Sequence, residues 1–261
     1  MANEPVILVT MTEGIATITL NKPEKRNAMD GVLVANLMSV LAEIATNKNI
    51  GVIILRANGE HFCAGADIAW MQKIATAPEA DNQADALQLA KLMYAIYTYP
   101  KPVIVLAHGA TLGGGLGLVA ACDIAIAANN ASFAFSEVKI GIVPSVVSPY
   151  VIKAMGERAA RYYFLTAARF GADEAHRIGF VHQVVDPQAL NSVGVTIANE
   201  ILKHSRSAVS EAKRLIQTVA SEKVSDDLIR YTAEHLATMR TTADAREGLQ
   251  AFLEKRMPTW S

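Results

Sequence analysis

The sequence predicts an α/β fold with a mainly parallel, buried sheet and a helical C-terminal third. Short apolar runs, such as those at 51–56 and 103–107, are too short for helices and suit buried strands. Segments of helical spacing alternate with these runs, and alternation of β and α segments is typical of parallel sheets covered by helices. From Val146 onward helical patterns dominate, with one strand at 180–185.

The N-terminal quarter predicts a strand pair followed by a helix and a buried strand. Residues 6–20 (VILVTMTEGIATITL) form two β segments around a turn at Glu13-Gly14. Asn21 to Arg26 is polar and contains a proline, which indicates a loop. Apolar residues at helical spacing predict a helix over 32–45, and GVIILR at 51–56 follows as a buried strand.

The middle of the chain repeats this alternation. A helix is expected over 84–97 and ends before Pro100, after which VIVLAHG is another buried strand. Gly113, Gly114 and Gly115 then open a helix of small residues that reaches Cys122. Two more strands are expected, at 123–128 and 132–135.

The C-terminal helices are expected at 188–203, 206–220 and 225–254, with a break near Thr241. No linker composition separates them from the rest. We therefore expect one α/β core over residues 1–200 and a helical extension over 201–261.

Composition excludes several classes of function. The formal net charge of −1, without a basic stripe, argues against nucleic acid as a partner. No apolar run reaches the roughly 18 residues that span a bilayer, and no signal peptide is evident. Only Cys63 and Cys122 are present, so we expect no disulfide framework and a cytoplasmic location. His176 and His182 lack the spacing of a metal motif, so no metal site is expected.

Two stretches of small residues follow predicted strands. HFCAGADI at 61–68 exposes backbone amides before a helix that Asp67 can cap. AHGATLGGGLG at 107–117 runs from a strand through three glycines into a helix, but it matches neither GxGxxG nor the P-loop pattern. Each stretch can also be an ordinary turn or a close packing contact.

Glu137 lies in a largely apolar stretch, AFSEVKIGIVP at 134–144. Apolar surroundings raise the pKa of a carboxyl group, which could then act as an acid or a base. The alternative is a surface glutamate paired with Lys139 or another cation.

The ordered set FCAGAD, HGATLGGGLGLVAACDIAIA and FSEVKIGIVP resembles the signature blocks of the enoyl-CoA hydratase/isomerase (crotonase) family. NKPEKRNAM and AREGLQAFLEKRMP are also similar to family patterns, so the resemblance covers nearly the whole chain. It implies a spiral of β-β-α units, as in ClpP and crotonase, with a helical C-terminal trimerisation region. It also implies an acyl-CoA substrate, no cofactor other than the CoA of that substrate, and a trimer or homohexamer.

The resemblance assigns roles by position in these motifs. The amides of Ala66 and Gly114 would form the oxyanion hole for the thioester oxygen, and Glu137 would transfer the α-proton. The residues expected to bind the CoA portion are Lys25, Arg26, Ala28, Ala64, Asp67, Ile68, Phe252 and Lys255. The acyl pocket candidates are Trp70, Met71, Gly117 and Ser145.

Two positions depart from the family pattern. Gly117 stands where hydratases usually carry a first catalytic glutamate, and Ser145 stands where glycine is usual. These departures resemble a bacterial subgroup that hydrates methylglutaconyl-CoA in leucine breakdown or carboxylated geranyl-type thioesters. A substrate carboxylate is then expected near Gly117. The leading prediction is a hydratase; an isomerase that uses Glu137 alone and a non-catalytic acyl-CoA-binding scaffold are the alternatives.

Overall fold

The computed structural model describes residues 4–260, and two sheets are formed within them. The larger sheet has the strand order β1-β2-β3-β4-β6-β9, and the smaller one β5-β7-β8. The strands are β1 (Ile7–Thr12), β2 (Ile15–Leu20), β3 (Val52–Ala57), β4 (Val103–Ala107), β5 (Ala110–Leu112), β6 (Ile124–Ala128), β7 (Ser132–Ala134), β8 (Phe170–Gly171) and β9 (Gln183–Val185).

The helices alternate with the strands first and then follow one another. They are α1 (Gly31–Thr46), α2 (Ile68–Ala75), α3 (Glu79–Tyr97), α4 (Gly114–Ala121), α5 (Ser148–Thr166), α6 (Ala172–Arg177), α7 (Leu190–Leu202), α8 (Arg206–Val219), α9 (Asp226–Arg240) and α10 (Ala243–Leu253). Short 3-10 turns occur at Pro23–Lys25 and Glu137–Ile140. Within residues 4–260, none of these helices combines the length and apolar character needed to cross a bilayer.

The larger sheet is parallel from β2 to β9, and β1 pairs with β2 in the antiparallel direction. β4 is buried at every residue, as expected of a parallel strand covered on both faces. Burial of each large apolar side chain stabilises the fold by about 1.5–3 kcal/mol relative to its exposure. The pairing of β2, β3, β4, β6 and β9 confirms the predicted mainly parallel sheet.

The smaller sheet lies beside the loops that follow β3 and β4. β5 pairs with β7 in parallel, and β7 pairs with the two-residue strand β8. Cys63 forms an isolated bridge to Thr111 of β5, which joins the loop after β3 to this sheet. Neither β5, of three residues, nor β8, of two, is predicted by the sequence.

The described chain divides into two compact units, residues 4–198 and 199–260. In the second unit, α8, α9 and α10 begin at the capping side chains of Ser205, Ser225 and Thr242. The predicted break near Thr241 is confirmed, because this residue ends α9. The Trp260 indole donates a hydrogen bond to the Lys203 carbonyl at 2.8 Å, which fixes the C-terminal segment to the start of the unit.

Candidate active site

A buried asparagine holds the loop after β3 through hydrogen bonds to its backbone. Asn27 is fully buried, and its amide nitrogen donates to the carbonyls of Asn58 and His61, each at 2.8 Å. Its side-chain oxygen accepts from the Lys22 amide at 2.8 Å. All three of these hydrogen bonds are made to backbone groups, so Asn27 ties residues 58 and 61 to the segment before α1.

Met29 orients the Ala66 amide. The Asp67 amide donates to the Met29 carbonyl at 2.8 Å, and the Met29 amide donates to the Gly65 carbonyl at 2.7 Å. In such a parallel bridge the residue between the two bonded groups directs its own N–H away from the partner segment. Within residues 4–260, the Ala66 amide has no hydrogen-bond acceptor. It is therefore a donor available to a ligand.

The triple-glycine turn places a second donor at the start of α4. Gly113 has φ of 50° and ψ of −118°, a conformation that side chains rarely adopt. Gly114 is the first residue of α4, and in the described chain no acceptor occupies its amide and no side chain caps the helix. The N-terminus of a helix carries partial positive charge, so this amide favours a nearby anionic oxygen.

Gly113 is also the point where the three motifs meet. A Cβ atom built there would lie 3.3 Å from Glu137 Oε1 and 3.9 Å from Gly65 Cα. The Ala66 turn, the glycine turn and the carboxyl group therefore lie together in the α/β core. Glycine at this position leaves that space open.

Glu137 is a half-buried carboxylate at the start of a 3-10 turn. Its Oε2 atom is buried and has no hydrogen-bond partner in the described chain. Burial raises the pKa of this group, and a hydrogen bond to its own backbone lowers it to a lesser degree. The alternative of a surface glutamate paired with Lys139 is wrong, because within residues 4–260 the two form no ion pair.

Packing bears on the expected placement of a substrate carboxylate near Gly117. Gly117 is buried, and a Cβ atom there would overlap Val147 Cγ1 and lie 3.1 Å from Sδ and Cε of Met93. Apolar side chains already fill the direction in which a side chain would extend. A carboxylate on the Cβ side of Gly117 would have to displace Val147 or Met93. Ser145 is exposed, two residues before Val147.

Trp70 and Met71 lie on α2, the helix that follows Ala66. The Trp70 indole donates to Asp85 of α3 at 3.1 Å and lines a cavity of about 480 Å³. Lys25 and Asp67 line the same cavity, and Met71 does not.

The N-terminal members of the expected CoA-binding set are brought together. Lys25 Nζ lies 3.1 Å from Asp67 Oδ2, and this contact raises the pKa of Lys25. Asp67 also caps α2 by accepting from the Trp70 amide, which together with Lys25 lowers the pKa of Asp67. The Arg26 carbonyl accepts from the Ala64 amide at 3.0 Å, so residues 25–28 run beside residues 64–68.

The other expected CoA-binding residues differ in exposure. Ala28 is buried, and Ile68 is 75% exposed on the first turn of α2. Phe252 and Lys255 belong to the C-terminal unit, where Phe252 is exposed on α10 and Lys255 follows that helix with φ of 55°.

The two histidines of these loops bond to backbone groups, and the cysteine is buried. His61 Nδ1 accepts from the Ala110 amide at 3.1 Å, and His108 Nε2 donates to the Gly59 carbonyl at 2.9 Å. Cys63 is buried, and burial raises the pKa of its thiol to about 11. At neutral pH this thiol stays protonated and is a poor nucleophile.

Two residues that hold the Ala66 loop, Asn27 and Met29, are missing from the sequence-based set. Beside this loop, on β5, the buried hydroxyl of Thr111 has no partner in the described chain. Asn27 and Met29 lie within NKPEKRNAM, so they belong to a motif that the sequence singles out, but the motif does not show what they do. Within residues 4–260, no group of three His, Cys, Asp or Glu side chains could hold a metal ion.

Comparison with known proteins identifies the class. The family model described as enoyl-CoA hydratase/isomerase matches residues 10–261. A crotonyl-CoA hydratase of Syntrophomonas wolfei is 33% identical, and the match covers 98% of this chain and 97% of that protein. The short-chain-enoyl-CoA hydratase of Clostridium acetobutylicum is 32% identical over 93% of this chain and 92% of its own length. The chain belongs to the enoyl-CoA hydratase/isomerase family.

Solved structures agree with this assignment. An enoyl-CoA hydratase from Shewanella pealeana is 39% identical with a TM-score of 0.95, covering 98% of this chain and 96% of that one. An enoyl-CoA hydratase/isomerase (crotonase) from Legionella pneumophila is 42% identical with a TM-score of 0.92, covering 97% and 98%. The expected crotonase-like fold is confirmed.

Proposed function

We propose that this protein hydrates a 2-enoyl-CoA thioester, with Glu137 as the one proton-transferring side chain. The observation that carries the proposal is the buried, unpartnered Oε2 atom of Glu137 beside the turn of Gly113 and Gly65. Burial raises the pKa of Glu137, and a carboxyl group with a raised pKa is a stronger base that can take a proton and then give it back. The relatives named as enoyl-CoA hydratases support hydration over other acyl-CoA reactions.

In the proposed mechanism the Ala66 and Gly114 amides hold the thioester oxygen. Water oxygen forms a bond to C3, the electrons of the C2–C3 double bond move toward the carbonyl, and an enolate forms. The two amides stabilise the negative charge on that oxygen, and each such donor contributes about 10²–10³ in rate. Glu137 takes the proton that the water loses and delivers it to C2, so one carboxyl group serves both steps.

The second candidate is an enoyl-CoA isomerase, and one observation favours it. Val147 and Met93 occupy the place where a side chain at position 117 would lie, so this position supplies no second carboxylate. Moving a proton between C2 and C4 of an enoyl thioester needs only one carboxyl group, which Glu137 provides. The same amides would stabilise the dienolate that forms when the C2 proton of a 3-enoyl thioester is removed.

We further propose a branched or carboxylated acyl group, of the methylglutaconyl-CoA type, as the preferred substrate. The support is the resemblance of the glycine and Glu137 blocks to that subgroup. Because the space at Gly117 is filled, a distal carboxylate would have to be bound elsewhere in the site.

Turnover of three acyl-CoA thioesters, followed by mass, tests these proposals together. A hydratase adds the mass of water to crotonyl-CoA or methylglutaconyl-CoA, whereas an isomerase converts a 3-enoyl-CoA without a change in mass. A higher kcat/KM for methylglutaconyl-CoA than for crotonyl-CoA supports the proposal of a carboxylated substrate. Equal kcat/KM values contradict that proposal. If the wild type and Glu137→Gln are equally inactive while both bind acyl-CoA, the protein is a scaffold and the catalytic proposal fails.

We also propose that the protein assembles as a trimer or a dimer of trimers in the cytoplasm. α8 and α9 bury no residue in the described chain. Their large apolar side chains Ile216, Ile229 and Leu236 are each at least half exposed. Apolar side chains arranged in this way are typical of helices that pack on another subunit. Sedimentation equilibrium should give three or six times the chain mass, and a monomer would contradict the proposal.

A further inference from the structure

A polar cavity of about 260 Å³ lies where β3 and β4 end. None of the residues assigned above to catalysis or CoA binding lines it, and none of its lining residues is acidic. In parallel sheets, ligands commonly bind beyond the carboxyl ends of the strands. The side chains that give this cavity its character are Arg56, Asn58, His108, Asn130 and Asn191.

Arg56, near the end of β3, is half-buried and has only neutral partners. Its Nε donates to Thr19 Oγ1 at 3.2 Å, and its Nη1 donates to Asn191 Oδ1 at 3.1 Å. Arg177 and Arg256, by contrast, are paired with glutamates. In the described chain no carboxylate lies within ion-pair distance of Arg56, so its charge is not neutralised by the protein.

The side-chain amides of Asn130 and Asn191, which also line the cavity, have N–H donors that are free within the described chain. Asn191 Oδ1 accepts from Arg56, and Asn130 Oδ1 accepts from the Gly109 amide at 3.4 Å. With their oxygens engaged, both side chains offer NH₂ groups. His108 uses Nε2–H on the Gly59 carbonyl. Burial lowers the pKa of His108, and the hydrogen bond to Gly59 opposes this to a lesser degree. The cavity therefore combines a positive charge with several unused donors and no acidic group.

We propose that this cavity binds a small oxyanion, phosphate or carboxylate, through the guanidinium of Arg56 and the amide groups of Asn130 and Asn191. Guanidinium groups bind both anions through parallel N–H donors. The site is separate from the site of acyl-CoA chemistry, so its occupation does not depend on the proposed function.

Titration with inorganic phosphate, and separately with acetate, tests the proposal at a constant ionic strength. The readouts are calorimetry and the NMR signal of the His108 ring. Saturable binding that perturbs His108 is expected, at least about tenfold weaker in Arg56→Gln. Arg169→Gln is the matched control, because Arg169 is exposed and also donates to a hydroxyl, that of Ser132. It should bind as the wild type does.

A second variant keeps the test decisive if Arg56→Gln fails to fold. Asn191→Asp, at an exposed position in the first turn of α7, gives Arg56 a carboxylate partner and should abolish binding. Saturating coenzyme A should leave phosphate binding unchanged. Phosphate displaced by coenzyme A, equal affinity in Arg56→Gln and wild type, or no saturable binding of either anion would each overturn the proposal.

Discussion

Val147 occupies the space into which a side chain at Gly117 would extend, because a Cβ atom there would overlap Val147 Cγ1. Met93 closes the same space from α3, with Sδ and Cε 3.1 Å from that position. The glycine is therefore required by packing, and the position that would carry a first glutamate is part of the apolar core. This relationship leaves Glu137 as the carboxyl group on which the proposed chemistry depends.

Gly117→Ala should destabilise the protein by about 1–3 kcal/mol, because the added methyl group overpacks the core. Val147→Ala in the same chain should recover part of this loss, since it removes the overlapping atom. Urea unfolding measures both effects as changes in the free energy of unfolding. Gly31→Ala is the control, because nothing lies within 4 Å of a Cβ at the start of α1. Additive effects of the two substitutions would contradict the packing account.

Gly113→Ala should lower kcat strongly while costing about 1–3 kcal/mol of stability, the range for strained backbone. The substitution strains a residue with φ of 50° and places a methyl group 3.3 Å from Glu137 Oε1. Steady-state kinetics with crotonyl-CoA gives the change in kcat. Gly171→Ala is the control, because its surroundings are open and its φ is −91°. Unchanged kcat in folded Gly113→Ala would contradict the site geometry.

Glu137→Gln should raise the free energy of unfolding at pH 7.5 and leave it unchanged near pH 4. The folded protein binds this proton more tightly than the unfolded chain, because burial raises the pKa of Glu137. Its contribution to stability is then fully present below the unfolded pKa of about 4.3 and is lost as pH rises through the folded pKa. Urea unfolding at the two pH values checks the sign, with the exposed Glu43→Gln as control. A destabilised Glu137→Gln at pH 7.5 would contradict it.

Asn27→Ala should cost about 2–5 kcal/mol, because it leaves the carbonyls of Asn58 and His61 without their donor and adds strain at φ of 53°. The freed loop should also lower kcat/KM, since it positions the Ala66 amide. Asn36→Ala is the matched control on α1, where the exposed amide donates to the Val32 carbonyl. Equal losses of stability in the two variants would mean that Asn27 does not hold the loop.

The sequence predicts the large sheet and most helices, because their apolar periods are long enough to read. The resemblance of the three ordered motifs to the family also predicts that the Ala66 turn, the glycine turn and Glu137 lie in one site. It does not predict that Val147 and Met93 fill the space at Gly117, because these residues are distant in sequence and meet only in the folded core. The roles of Asn27 and Met29 are missed for the same reason, because their partners, at positions 58, 61, 65 and 67, are distant in the sequence.

Exchange of the C2 protons of butyryl-CoA with deuterated water tests the central claim most directly. In the proposed mechanism this reaction requires the two amides to stabilise an enolate and Glu137 to move the proton. It does not depend on whether hydration or isomerisation follows. We expect exchange by the wild type and by Glu43→Gln, and exchange slower by about 10²–10⁴ in Glu137→Gln. Equal rates in Glu137→Gln and wild type would show that Glu137 does not transfer the proton.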